Sequence, residues 1–163
     1  MVSTCTTISS PIGSLHLSSN GDALTELTIV GSVSPLSPHE CSPKADRVLK
    51  AATLQLSEYF AGRRTTFDLP VAVTGTAFQQ SIWQQLRTIP FGSTRGYGEL
   101  GAAVGKPTAS RAVGGCVGAN PIAIIIPCHR VLASDRRITG FSGGDGITTK
   151  QWLLNHEKIA FRH

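Results

Sequence analysis

The chain has 163 residues, 40% of them hydrophobic, which is enough to bury the core of one compact domain or two small associated ones and excludes two large domains. No run of about twenty apolar residues and no basic or apolar N-terminal stretch is present, so we expect a soluble intracellular protein without a membrane span or signal peptide. Residues 1–75 carry five basic and six acidic side chains, and residues 76–163 carry ten basic and four acidic ones. This excess of positive charge in the second half is typical of a part that binds a polyanion or of a basic solvated surface.

The first half of the chain has the pattern of a small α/β module. Short strands are predicted at residues 6–9, 14–18 and 23–30, and the Asn-Gly pair at positions 20 and 21 is a hairpin signal. The Ser- and Pro-rich residues 31–43 predict a loop. A helix is expected over residues 45–60, followed by an extended connector at residues 67–73. Nothing in this module indicates chemistry.

The second half begins with three predicted helices. Thr76 is placed to cap a helix that ends near residue 86. Two shorter helices at residues 97–104 and 108–117, the second capped by Thr108, are separated by a few residues that include Gly105. This is the outline of a helix-turn-helix, although an ordinary helical hairpin in a core has the same pattern.

A continuous apolar run follows at residues 120–127 and leads directly to Cys128. Such a run predicts a fully buried strand or extended segment, which would place Cys128 at the edge of the core. The last predicted helix covers residues 149–158.

Cys128, His129 and Arg130 are the one dense group of reactive residues. A buried cysteine is usually inert, so each cysteine taken alone favours a structural interpretation. A nucleophilic thiolate needs a base or a positive environment, and His129 and Arg130 adjoin Cys128 directly. With Glu157 in the last helix, a relay of cysteine, histidine and carboxylate is possible.

The other three cysteines carry weaker signals. Cys5, Cys41 and Cys116 form no C-x-x-C pair with each other or with Cys128, so free thiols are expected. Cys116 lies in a helix of small residues with no histidine nearby and is interpreted as a core residue. None of them has a partner at metal-ligand spacing, so no zinc site is predicted.

The segment 120–131, with its Pro-Cys-His-Arg-Val end, resembles the active-site signature of the O6-alkylguanine-DNA alkyltransferases, also called methylated-DNA–protein-cysteine methyltransferases. The resemblance extends to residues 10–13, 111–115, 140–144 and 152–157 and to Tyr97. It covers nearly the whole chain and is strongest from Phe78 onward.

This resemblance implies an α/β (α+β) fold with two subdomains. An RNase H-like N-terminal α/β subdomain, residues 1–75, would be structural. A helical C-terminal subdomain, residues 76–163, would carry a helix-turn-helix that binds the minor groove of double-stranded DNA. The implied activity is that of a methylated-DNA–protein-cysteine S-methyltransferase, which repairs O6-alkylguanine by a single, stoichiometric transfer to Cys128. The thioether product is not hydrolysed, so no turnover and no cofactor are expected.

The resemblance also implies roles for the catalytic residues. Cys128 would attack the alkyl carbon, and His129 would take the thiol proton through a water molecule. Glu157 would hold and polarise His129, Asn120 would pin the turn that carries the cysteine, and Tyr97 would donate a hydrogen bond to the departing guanine. Such a donor lowers the barrier where negative charge develops.

Further residues are expected to contact DNA and the base. A deeply placed cysteine reaches a base edge only if the nucleotide is flipped out, and Arg111 would fill the gap in the stack. The other expected DNA contacts are Ser110, Thr108, Lys106, Gly98, Phe78, Ser134 and Arg130. The expected substrate contacts are Tyr97, Phe141, Ser142 and Gly143.

Two departures from the family pattern limit these implications. Phe141 occupies a position where many members have tyrosine, so a hydrogen bond through that hydroxyl is absent. Some members bind zinc in the N-terminal part, but Asn20 and Thr25 cannot join Cys5 as ligands, so no metal is expected.

Two alternative functions remain open at this level. One is a helix-turn-helix DNA-binding regulator or sensor without transfer activity, and the other is a cysteine hydrolase of acyl substrates. We expect a monomer located in the cytoplasm with the nucleoid, or in the nucleus of a eukaryote, and leave open whether molecules bind cooperatively along DNA.

Overall fold

The computed structural model describes residues 3–31 and 46–163. Its first part is an antiparallel sheet of three strands in the order β1 (Thr4–Ser10), β2 (Gly13–Ser19) and β3 (Leu24–Val30). The side-chain oxygen Oδ1 of Asn20 accepts hydrogen bonds from the backbone N–H groups of Asp22 and Ala23, both at 2.9 Å. The predicted Asn-Gly hairpin between β2 and β3 is therefore confirmed.

Helix α1 (Arg47–Phe60) packs against this sheet. Asp46 caps it by accepting a hydrogen bond from the backbone of Leu49 at 2.8 Å. The predicted start at residue 45 and most of the predicted loop at residues 31–43 lie outside the described residues. The apolar face of α1 is buried in the core, including Tyr59 near its C-terminal end.

The second part is helical, with α2 (Ala77–Leu86), α3 (Tyr97–Ala103), α4 (Ser110–Gly118) and α5 (Ile147–His156). Thr76 and Gln79 form a reciprocal capping box at the start of α2, so the predicted cap is confirmed. Helix α4 begins at Ser110 without a side-chain cap, so the prediction that Thr108 caps it was wrong. The predicted end of the last helix at residue 158 was two residues late.

Helices α2, α3 and α4 form one packed unit. The indole Nε1 of Trp83 in α2 donates to the backbone carbonyl of Cys116 in α4 at 2.8 Å. A Cβ atom at Gly101 in α3 would lie 2.5 Å from the carbonyl oxygen of Lys106, so only glycine allows this close approach. These contacts fix α4 against its neighbours and leave its other side exposed.

The apolar run at residues 120–127 is buried but turns back on itself, so the predicted strand was wrong. The N–H of Ile126 donates to the carbonyl of Ile122 at 3.0 Å, and Ile124 has a φ of 71°. A single bridge between Ile122 and Leu27 joins the segment to the sheet. A continuous apolar run reports burial on all sides, which a turn in the core shares with a central strand.

One hydrophobic core extends through both halves of the molecule, from the sheet and α1 to α2, α4 and α5. Within residues 3–31 and 46–163, no helix is long and apolar enough to cross a membrane. Cys116 and Cys128 are free thiols, whereas Cys5 is disulfide-bonded, so the expectation of a free thiol at Cys5 was wrong. Spacing along the chain does not reveal which thiols a fold brings together. The same expectation for Cys41 lies outside the described residues.

Candidate active site and DNA-facing surface

Cys128 lies at the start of a short 3-10 turn (Cys128–Arg130) that follows the buried turn at residues 120–127. It is only 6% exposed, and it lines a cleft of about 270 Å³ that opens to the surface. The other residues that line this cleft are Tyr97, Gly114, Val117, Gly118, Gly140, Phe141 and Ser142. The fold therefore brings Cys128 together with three of the predicted substrate residues.

Small residues on α4 and the loop at residues 140–144 shape this cleft. A Cβ atom at Gly114 would lie 3.7 Å from the ring of Tyr97, which is ordinary contact distance. The hydroxyl of Ser142 donates to the carbonyl of Gly118 at 3.0 Å and ties the loop to α4. Gly143 does not line the cleft, but a Cβ there would lie 3.0 Å from the Phe141 ring. Gly143 therefore lets that ring pack closely.

Asn120 holds the turn that carries Cys128. Its Nδ2 donates to the carbonyl of Ile126 at 2.7 Å, and its Oδ1 accepts from the N–H of Ile122 at 3.0 Å. The positive φ of Ile124 is unusual for a β-branched residue, and such strain costs about 1–3 kcal/mol. The two hydrogen bonds of Asn120 help to offset this cost.

The surroundings of Cys128 include features that disfavour its thiolate and others that favour it. Burial raises the pKa of the Cys128 thiol, whereas the Asn120 amide, the charge of Lys150 and the backbone N–H groups of Cys128 and His129 lower it. The burial effect is larger, so the thiol is the resting form at neutral pH. Proton removal must therefore accompany the attack of the sulfur.

His129 and Glu157 form a fully buried pair, with His129 Nε2 and Glu157 Oε2 2.6 Å apart. Because a carboxylate only accepts, Nε2 carries the hydrogen and Nδ1 carries the lone pair. Nδ1 is buried and has no hydrogen-bond partner among the described residues. Burial lowers the pKa of His129, against the opposing effect of Glu157, so the imidazole is neutral and able to accept a proton.

Glu157 is held as a carboxylate by several donors. The Arg130 guanidinium donates from Nε to Oε1 at 2.7 Å and from Nη2 to Oε2 at 3.1 Å, and the Tyr59 hydroxyl donates to Oε2 at 2.7 Å. Burial raises the pKa of Glu157, but the hydrogen bonds from His129 and Arg130 and the charge of Arg130 outweigh it and hold the pKa well below its usual range.

The prediction that Arg130 contacts DNA was wrong. Arg130 is buried, and its guanidinium also donates to the carbonyl of Ile89 at 2.7 Å. A buried carboxylate such as Glu157 requires an opposite charge nearby, and Arg130 supplies it. Sequence adjacency to Cys128 indicated a charged neighbour but not the direction of its side chain.

Lys150 in α5 is a buried cation that the sequence analysis missed. Its Nζ donates to the carbonyl of Val131 at 2.7 Å and to Thr139 Oγ1 at 3.1 Å. Burial lowers the pKa of Lys150 to about 8, while Cys128 acts in the opposite direction. The signal was present in the sequence, because Lys150 lies three and four residues before the apolar Leu153 and Leu154 and so on the same helix face.

Lys150 also orients the hydroxyl of Tyr97. Tyr97 Oη and Thr139 Oγ1 are 2.6 Å apart, and either is able to donate. An ammonium group only donates, so Thr139 accepts from Lys150, and its own hydrogen is available to donate to Tyr97. When Thr139 donates in this way, the Tyr97 hydrogen is available to a group in the cleft.

A second groove, of about 450 Å³, brings together three of the predicted DNA contacts: Gly98, Ser110 and Ser134. Lys106, Thr108 and Arg111 are exposed in α4 and in the segment before it. Phe78 lies elsewhere, partly buried against the core at the start of α2. Six of the eight predicted DNA contacts are thus exposed on or beside the α3–α4 pair and the Ser134 loop.

No group of three or more His, Cys, Asp or Glu side chains within the described part of the chain is arranged to hold a metal ion. Asn20 is instead committed to the hairpin described above.

Comparison with known proteins gives a consistent match over both halves of the chain. The ribonuclease-like domain of 6-O-methylguanine DNA methyltransferase matches residues 4–73, and the DNA-binding domain of the same family matches residues 77–159. A methylated-DNA–protein-cysteine methyltransferase of Mycobacterium tuberculosis is 45% identical over 152 residues, 93% of this chain and 90% of that protein. The Haemophilus influenzae protein of the same name is 43% identical over 155 residues, 93% and 84% of the two chains.

Solved structures agree with these sequence matches. A crystal structure of Mycobacterium tuberculosis O6-methylguanine methyltransferase has a TM-score of 0.86 at 44% identity and covers 96% of this chain and 93% of that one. Mycobacterium tuberculosis OGT in complex with DNA has a TM-score of 0.85 at 44% identity, covering 95% and 92%. The fold class predicted from the sequence is confirmed.

Proposed function

Because the chain belongs to the 6-O-methylguanine DNA methyltransferase family, we propose that it repairs DNA by moving the alkyl group of O6-alkylguanine onto Cys128. One observation carries the assignment to this residue. Cys128 lines a cleft with Tyr97 and Phe141. The next residue in the chain, His129, forms a buried pair with Glu157.

The position of Cys128 requires that the damaged base leaves the duplex. The O6 atom lies on a base edge inside the DNA, and a cysteine 6% exposed at the end of a cleft cannot reach it there. The rings of Tyr97 and Phe141 offer surfaces for a flipped purine. Arg111, exposed on α4, would enter the stack in its place, where a flat guanidinium fits better than an ammonium.

The chemical step is an in-line displacement at carbon. The thiol proton passes through a water molecule to Nδ1 of His129, the sulfur forms a bond to the alkyl carbon, and the bond between that carbon and O6 breaks. The electron pair of the broken bond stays on the guanine, which then takes up one proton. The products are guanine and an S-alkylcysteine, so each molecule acts once.

The surroundings of Cys128 support this step at two atoms. Negative charge develops first on the sulfur, where the charge of Lys150 and the amide of Asn120 favour the thiolate. It then moves to the guanine, where the hydroxyl of Tyr97 would donate a hydrogen bond. Donors fixed before the reaction stabilise developing charge without reorganisation.

The exposed face of α3 and α4 would form the DNA surface, with α4 in the minor groove as the second helix of a helix-turn-helix. The groove lined by Gly98, Ser110 and Ser134 supports this arrangement, as does the location of the net positive charge in residues 76–163. Residues 1–75 would form the structural subdomain. The protein would act as a monomer where the genome is, in the cytoplasm or, in a eukaryote, the nucleus.

A single-turnover mass measurement tests the proposal. Incubation with duplex DNA that contains one O6-methylguanine should add one methyl group to the protein, and peptide mapping should locate it at Cys128. The Cys128→Ser variant should bind the same DNA without any mass gain, and Cys116→Ser should react like the wild type. Binding without transfer by the wild type would favour a regulator, and repeated product release from an ester would favour a hydrolase.

A further inference from the structure

Tyr59 links the N-terminal half of the molecule to the proton acceptor of the active site. It lies near the end of α1, and its hydroxyl donates to Glu157 Oε2 at 2.7 Å across 98 positions of the chain. The same oxygen accepts from His129 Nε2 at 2.6 Å. Tyr59, in the N-terminal half, and His129, the residue after Cys128, therefore bond the same oxygen of Glu157.

The hydroxyl of Tyr59 is built into this position. Its ring is fully buried, in contact with Phe60, Phe67 and Phe91. Burial and the negative charge of Glu157 raise the pKa of Tyr59 far above its ordinary value. The phenol therefore stays protonated at neutral pH and donates to the carboxylate.

A second contact holds the backbone of Tyr59 against the last helix. His156 in α5 lies 2.7 Å from the carbonyl oxygen of Tyr59 through Nε2, and the two rings are 4.9 Å apart edge to face. Tyr59 is therefore held at two points, by Glu157 at its hydroxyl and by His156 at its backbone carbonyl. Rotation of the carboxylate would break its bond to Tyr59 as well as its bond to His129.

We propose that Tyr59 is a positioning residue for the transfer reaction. Its hydroxyl orients Glu157 and limits how strongly the Glu157 carboxylate attracts the proton of His129. This inference rests on the proposed function. Glu157 Oε2 accepts from His129, Tyr59 and Arg130, so its negative charge is shared among three donors. Without the Tyr59 hydroxyl, a larger share of that charge acts on the imidazole.

The consequence is a change in the proton affinity of His129. The charged groups that act on the pKa of His129 are Glu157, Arg130 and Lys150, and the thiol of Cys128 adjoins it in the chain. Of these, Glu157 raises the pKa of His129, and Tyr59 moderates that effect. A histidine that is already protonated cannot accept the thiol proton, so a higher pKa of His129 moves the acid limb of the transfer rate to higher pH.

The Tyr59→Phe variant tests this inference because it keeps the ring and removes only the hydroxyl. We expect the acid limb of the single-turnover rate with O6-methylguanine DNA to move upward by roughly one pH unit, the size of one hydrogen bond to a charged group. On the acid side the rate should fall about tenfold, with little change on the high-pH plateau. The nitrogen chemical shifts of the His129 ring, followed by NMR against pH, should show the same displacement.

Thr53→Val is the matched control, since it removes a hydroxyl from the same helix that donates to the carbonyl of Leu49 at 2.8 Å, away from Glu157. Its pH profile should equal that of the wild type. An equal loss of rate at every pH in Tyr59→Phe, or no change at all, would overturn the positioning role. If the wild type accepts no methyl group, the proposed function fails, and the His129 shifts still decide whether Tyr59 governs that histidine.

Discussion

Lys150 Nζ donates to the carbonyl oxygen of Val131 at 2.7 Å, which places a buried positive charge beside a residue that lies three positions after Cys128. The charge acts on a thiol whose pKa is otherwise raised by burial. Burying an ammonium is costly unless its hydrogens are bonded, and here two of them meet oxygen atoms of Val131 and Thr139. A buried lysine beside a cysteine in a cleft favours a functional over a purely structural role.

Replacing Lys150 by methionine should therefore reduce the reactivity of Cys128. Without the charge, the thiolate fraction at pH 7 should fall about tenfold, the effect of one pKa unit. Because burial lowers the pKa of Lys150 to about 8, the wild type itself loses this charge above that pH, and the difference between the two proteins should narrow there. The rate of Cys128 alkylation by iodoacetamide, located by peptide mapping from pH 6 to 9, measures both effects.

Lys158→Met is the control for this experiment, because Lys158 is an exposed lysine two residues after the end of α5. Its Cys128 alkylation profile should match that of the wild type. Superimposable profiles for Lys150→Met and wild type, or a gap that widens above pH 8, would contradict an electrostatic role for Lys150.

Thr139 should be coupled to Tyr97 through the hydrogen bond of 2.6 Å between their hydroxyls. Tyr97→Phe removes a donor to the developing charge and should slow transfer about 10²-fold. Thr139→Val removes the hydrogen bond that orients the Tyr97 hydroxyl. This variant should slow transfer about tenfold, a loss of roughly 1.4 kcal/mol. In the double variant the loss should be no greater than in Tyr97→Phe alone. Additive losses in single-turnover rates would show that Thr139 does not act through Tyr97.

Glu157→Gln should destabilise the protein as well as inactivate it. The change leaves Arg130 buried without its counter-charge, which costs about 3–5 kcal/mol in the free energy of unfolding at pH 7. Because the folded-state pKa of Glu157 is lowered, its carboxylate contributes stability above its unfolded pKa of about 4.3, and that stability is lost as the pH falls below this value.

Urea unfolding at pH 6 and pH 3 tests both parts of this statement. The wild type should lose more stability between the two pH values than Glu157→Gln does. Glu58→Gln is the control, since its ion pair with Arg64 is partly exposed and is worth at most about 1 kcal/mol. Equal acid sensitivity of wild type and Glu157→Gln would exclude Glu157 as a source of the pH dependence.

Local sequence signals predicted the parts of the fold that depend on neighbouring residues. The hairpin at Asn20 and the cap at Thr76 are examples, because both consist of hydrogen bonds within a few positions. The apolar pattern of residues 120–127 did not indicate a turn, because the shape of this turn depends on the Asn120 side chain bonding across it. Only the family resemblance implied that Asn120 holds a turn here. Apolar composition alone does not distinguish that turn from a strand.

The candidate site was only partly predictable for a related reason. The family resemblance identified Cys128, His129 and Glu157, and the fold brings them together with the expected cleft residues. It gave no indication of Lys150 or Tyr59, whose roles arise from contacts across 11 and 98 positions of the chain. Buried polar partners of this kind become visible only when the packing around them is known.

Arg111→Ala should separate DNA engagement from the chemistry at Cys128. If Arg111 replaces the flipped base, transfer from O6-methylguanine in duplex DNA should slow strongly, whereas transfer from the free base O6-methylguanine should change little. The salt dependence of duplex binding should also lose a slope of about 1, the contribution of one phosphate-neutralising charge. Arg63→Ala, which removes an exposed arginine near the end of α1, should change neither quantity. Single-turnover rates on both substrates and duplex binding at several salt concentrations test this prediction. An equal loss of transfer rate on duplex and free base would contradict a role for Arg111 in replacing the flipped base.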